Sequence, residues 1–73
     1  MDHRVPNKVT MFFQNDNNTQ IKIQIIFDNI DLSEHTIDIT DQNSVREMLT
    51  YLQALKNCTG LNTSISFLRS CLH

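Results

Sequence analysis

A chain of 73 residues with 40% hydrophobic content has room for one domain and material enough for a core, which excludes a disordered tail. Its net charge of −2 argues against a general nucleic-acid binder, which carries a basic excess. Two cysteines do not make a disulfide framework, and one Gly and one Pro do not make a loop-rich scaffold.

Residues 1–7 read as a loose arm ending at Pro6. They hold no apolar stretch of the kind a secretory signal needs, and no later run approaches the length of a membrane span. The expected compartment is the cytoplasm. Residues 8–14 then alternate, with Val9, Met11 and Phe13 on one side. Residues 19–28 alternate more strongly, with Ile21, Ile23, Ile25 and Phe27 on one side. Period-two patterning rich in β-branched and aromatic residues marks a half-buried strand.

The register between these strands follows from the pattern. Residues directly opposite each other in a hairpin point to the same face. Pairing Phe13 with Ile21, Met11 with Ile23 and Val9 with Ile25 joins the apolar rows and leaves Asp16-Asn17-Asn18 as a three-residue loop. Such a loop needs a left-handed last residue, which Asn tolerates. The same register sets Phe12 across from Lys22 and Ile26 across from Lys8. These residues lie on the sheet's second face.

Residues 28–35 read as a polar connection, and residues 35–40 as a third, shorter strand with Ile37 and Ile39 inward. The period then changes. Val45, Met48, Leu49, Leu52 and Leu55 follow the i, i+3, i+4, i+7 spacing of a helix on a core, expected over 42–57. Thr40, Asp41, Asn43 and Ser44 are all suited to cap it, Ser44 with Glu47 fits a capping box, and Asn57 and Gly60 suit its end. The tail fits a short helix through Ile65, Leu68, Cys71 and Leu72, or a strand through Ile65 and Phe67; the helix is favoured. The expected architecture is α+β, a three-stranded antiparallel sheet (β-β-β-α) with one helix packed on one face and a short C-terminal element, in a single domain over 1–73.

No catalytic or metal-binding motif stands out. The most informative feature is the clustering of Asp28, Asp31, Glu34, Asp38 and Asp41: five of the eight acidic residues within 28–41, with no Lys or Arg among them. An acidic edge of this kind would meet a basic partner, because charge complementarity steers encounter and fixes register. The ordinary alternative is a solvated loop and the outer face of an edge strand, where charge deters aggregation. A Ca²⁺ or Mg²⁺ loop does not fit the spacing. Cys58 and Cys71 lie too far apart for a zinc knuckle with His35 or His73. A cysteine nucleophile would need a base, and His35 is the one histidine away from the termini. A helix-turn-helix over residues 45–72 would present only Arg69 to a groove. An aromatic RNA-binding sheet lacks basic neighbours.

These observations lead to a non-catalytic protein-binding module, an inhibitor or adaptor whose partner surface is Asp28, Asp31, Glu34, Asp38 and Asp41. No metal, cofactor or membrane is expected. A chain so short gains burial by pairing, so a homodimer through Phe12 and Ile26 is expected as well. The alternative is a small dimeric nucleic-acid regulator that gathers Arg4, Lys8 and Lys22 on one side.

Overall fold

The computed structural model describes residues 5–72. Three strands form one antiparallel sheet in the order β1-β2-β3: β1 (Pro6–Phe13), β2 (Gln20–Phe27) and β3 (Leu32–Asp38). Two helices follow, α1 (Gln42–Gln53) and α2 (Leu61–Cys71). Both lie on the same face of the sheet, α1 against β3 and α2 against β1. The fold is the expected α+β arrangement, with the tail as a full second helix.

The β1–β2 register matches the sequence pattern: Phe13 pairs with Ile21, Met11 with Ile23, Val9 with Ile25, Phe12 with Lys22 and Lys8 with Ile26. A one-residue slip would turn an apolar row to water, so burial selects this pairing. The loop closes as anticipated, with Asn18 left-handed at φ 56°. Asn15 braces it, its Oδ1 accepting from the backbone N–H groups of Thr19 and Gln20, each at 3.0 Å.

Burial concentrates on the middle strand. Ile21, Ile23 and Ile25 are sealed between their neighbours and the helices, together with Val45 and Leu52 of α1 and Leu68 of α2. Each such side chain contributes about 1.5–3 kcal/mol of transfer free energy. Phe13 lies at the rim of this layer, edge-on to Phe67 with ring centroids 5.8 Å apart.

Five expectations need correction. The arm does not extend to residue 7. Pro6 opens β1, as a proline is allowed to do at the start of an edge strand, and the Asn7 carbonyl accepts from Thr59 N–H at 2.9 Å. Residues 1–4 lie outside the described residues. The polar connection is only a turn: β3 begins at Leu32 and ends at Asp38. Its inward row is Ser33, His35 and Ile37, opposite Ile25, Ile23 and Ile21. Two polar residues in that row erase the apolar alternation that would have revealed the strand.

Helix α1 stops at Gln53, because the amides of Ala54 and Leu55 bond back in tight turns to Tyr51 and Leu52. Asn57 (φ 60°) then reverses the chain, and Gly60 (φ 82°) caps the start of α2 rather than the end of α1. The N-cap is Asp41, whose side chain accepts from the amides of Asn43 and Ser44. The Ser44 hydroxyl also donates to Asp41, at 2.9 Å, so Ser44 is not the capping residue and no Ser44–Glu47 box forms.

Candidate functional site

The β3 edge is the place where the predicted acidic residues and the fold's unsatisfied backbone coincide. Ile39 N–H donates to Thr19 C=O at 2.8 Å. Antiparallel ladders alternate, so Ile37, His35 and Ser33 also direct their backbone groups at β2. Glu34 and Thr36 therefore point their N–H and C=O groups away from the sheet, and among the described residues nothing receives them.

The five acids do not form one compact patch. They are strung out from the β2–β3 turn, along β3, to the start of α1. Asp28 and Asp31 are exposed in the β2–β3 turn. Asp31 accepts from the Asn29 side-chain amide at 3.0 Å. Glu34 stands exposed on the open face of the sheet. It accepts from Gln24 Nε2 at 2.7 Å and lies 3.7 Å from Lys22 Nζ. Asp38 closes the far end of the strand. Its Oδ1 accepts from the Thr40 hydroxyl at 2.6 Å and the Thr40 amide at 2.8 Å. Those bonds, the hydroxyl's first, hold its carboxyl below the usual aspartate range. From Asp31, just before the strand, to Asp38 at its end, the chain covers roughly 23 Å at about 3.3 Å per residue. Asp41 lies beyond it and is committed to capping α1.

The open face of the sheet carries three cross-strand rows. Lys8, Ile26 and Leu32 form the first, Thr10, Gln24 and Glu34 the second, and Phe12, Lys22 and Thr36 the third. The middle row is a hydrogen-bonded polar ladder, Thr10 to Gln24 at 3.2 Å and Gln24 to Glu34 at 2.7 Å. It separates the two apolar positions. Phe12 is 46% exposed, and Ile26 is half-buried beside the half-exposed Leu32.

On the other face, a shallow cavity of about 230 Å³ opens in the seam between β3 and α1. It is lined by His35, Ile37, Ser44, Glu47, Met48 and Tyr51. The His35 ring lies against Tyr51, centroids 5.9 Å apart. Its Nε2 is 2.9 Å from the Ser33 hydroxyl. Serine beside histidine at that distance is the first half of a nucleophile–base pair. A working pair also needs a group to orient the imidazole, and among the described residues Nδ1 has no hydrogen-bond partner. This seam was invisible in the sequence. Strand alternation already set His35 on the face of Ile37, but the side chains that meet it there, Met48 and Tyr51 of α1, are brought in only by the assembled fold.

Cys58 and Cys71 are free and half-buried. Burial, and then the nearby Asp28 carboxylate, push the Cys58 thiol up, away from the reactive thiolate. Among the described residues no three His, Cys, Asp or Glu side chains gather where they would hold a metal. His73 and Arg4 lie outside the described residues. No helix among them is long and apolar enough to cross a membrane. No protein family, curated protein or solved structure matches this chain.

Proposed function

We propose that this chain is a non-catalytic protein-binding module, an inhibitor or adaptor that docks the acidic side of β3 on a basic partner. The observation that supports it most is the coincidence of Asp31, Glu34 and Asp38 with a strand edge whose outward backbone groups have no partner among the described residues. Charge of one sign raises the encounter rate with a basic surface and repels wrong partners. Lys22 is the one cation within ion-pair distance of these carboxylates among the described residues. The acids thus remain available to an incoming charge.

The test is binding to an array of basic peptides across a salt series. Two variants are compared with the parent protein. One neutralises Asp28, Asp31, Glu34 and Asp38 to Asn or Gln; the other changes Lys8, Lys22 and Lys56 to Gln. Asp41 is left intact because it caps α1. The acidic set is expected to slow association and flatten the salt dependence, and the lysine set to leave binding nearly intact. If the lysine set abolishes binding while the acidic set does nothing, the proposal fails. Salt-dependent retention on DNA or RNA would then favour the nucleic-acid regulator.

A further inference from the structure

We infer that β3 and α1 together form a strand-addition groove, in which an extended peptide alternating basic and apolar residues pairs with the β3 edge as a fourth strand. This rests on the protein-binding reading above and gives the partner a chemistry and a conformation.

Three features of the fold converge on one side of β3. The first is the backbone. Glu34 and Thr36 present outward N–H and C=O groups at strand spacing, the template to which an extended segment bonds. The second is the open face. A fourth strand beside β3 would place every other side chain next to Glu34 and Asp38, whose carboxylates select Lys or Arg there. The third is the helix side. The intervening side chains would fall on the face of His35 and Ile37, into the seam bounded by Met48 and Tyr51 of α1. A cavity of about 230 Å³ lined mainly by apolar atoms accepts aliphatic groups there. Alternation on the ligand follows from the period of two along a strand.

A second copy of this chain fits the edge poorly. Any antiparallel pairing of β3 with itself puts two Glu34 and two Asp38 carboxylates on one face of the joined sheet. In the register centred on Thr36, Glu34 would stand directly opposite Asp38. Like charges opposite each other destabilise a ladder. The other edge offers less room. Val9 N–H on β1 is already taken by Thr59 C=O at 2.8 Å, leaving only Met11 and Phe13 outward.

The probe is the blocked peptide acetyl-Lys-Val-Lys-Val-Lys-Val-Lys-amide, titrated into the full chain and followed by amide hydrogen exchange and NMR shifts. The expected result is slowed exchange at the amides of Glu34 and Thr36, with those of Met11 and Phe13 unchanged. Thr36→Pro removes an outward N–H at an edge position where proline is tolerated, and is expected to abolish the protection. Methylating the peptide's valine or lysine amides in two alternate sets gives a version that leaves the protein untouched. One set is expected to lose binding at least tenfold. Combining Glu34→Gln with Asp38→Asn should weaken the parent peptide about tenfold. If both methylated sets bind as well as the parent while the acidic variant still loses affinity, strand addition is overturned and the acidic docking reading stands. Protection at Glu34 and Thr36 that ignores the acidic variant overturns the charge reading and the basic half of this proposal. Protection at Met11 and Phe13, or concentration-dependent self-association without peptide, places the partner elsewhere and overturns the groove.

Discussion

The two edges of this sheet are built from strands of similar length and treated in opposite ways. The β1 edge is closed over its first half: the segment joining α1 to α2 lies beside it, Thr59 bonding to both Asn7 and Val9. Gly60 lets that segment come close. Its φ of 82° suits glycine, and a Cβ there would overlap the Val9 carbonyl oxygen. Among the described residues the β3 edge has no such cover, and its outer row carries Glu34 and Asp38 instead. Covering an edge with chain and charging it are alternative defences against uncontrolled pairing. The covered half of the β1 edge is shut to partners, and only Met11 and Phe13 remain outward there. The charged edge is shut only to partners of its own sign, which is why the binding proposals fall on β3.

A similar contrast separates the turns on either side of β2. Both are three-residue loops whose last residue is left-handed. The β1–β2 turn uses Asn18, a residue that adopts this conformation readily. The β2–β3 turn uses Ile30 at φ 62°, a residue that is 89% exposed. A β-branched residue there is strained and gains almost no burial in return.

The largest way to break the molecule is through the core that both edges share. Ile23→Ala or Leu52→Ala should each cost about 2–5 kcal/mol, since both side chains are fully buried. Denaturant unfolding would show it, and unchanged midpoints would refute the shared core. Next comes the covered edge. Gly60→Ala should destabilise by about 2–3 kcal/mol through the left-handed φ and the overlap with Val9. Amide exchange at Val9 and Thr59 should rise more than at His35, whose N–H is directed at β2. A variant as stable as the parent would mean that the closure contributes little.

A gain is expected at the other end. Ile30→Asn should stabilise by about 1 kcal/mol, because it relieves the left-handed isoleucine without losing packing. The matching change, Asn18→Ile, should destabilise by a similar amount. A higher melting temperature for the first and a lower one for the second would confirm that the two turns are the same device with different residues. The smallest effect concerns Asp38. Its carboxyl is held below the ordinary value of 3.8, so the folded state binds that proton less readily than the unfolded state. The stability it contributes is fully present above that ordinary value. It is lost as the pH falls below it, through the folded-state value. Urea midpoints compared between pH 5 and pH 3 should therefore fall less in Asp38→Asn than in the parent.

The sequence alone determined whatever depended on burying complete rows. Val9-Met11-Phe13 and Ile21-Ile23-Ile25 permit one register that keeps both apolar rows on the helix-covered face, and Val45-Met48-Leu49-Leu52 permit one helix face. It also exposed the run of five acids, because charge is readable without a fold. What it did not determine was each feature set by neighbours distant in the chain. The start of β3 is held by pairing with β2 and not by its own pattern, since Ser33 and His35 occupy inward positions at a lightly covered edge. The αL turn at Ile30 goes against local preference and persists because the flanking strands pair, Phe27 with Asp31 at the turn itself. The free edge, and the seam beside Tyr51 and Met48, exist only once two helices have been laid on three strands. Local composition fixes which faces must be buried, by the free energy of removing them from water. Which backbone groups remain unpaired is decided by the chain's return path, and that is a property of the assembled structure.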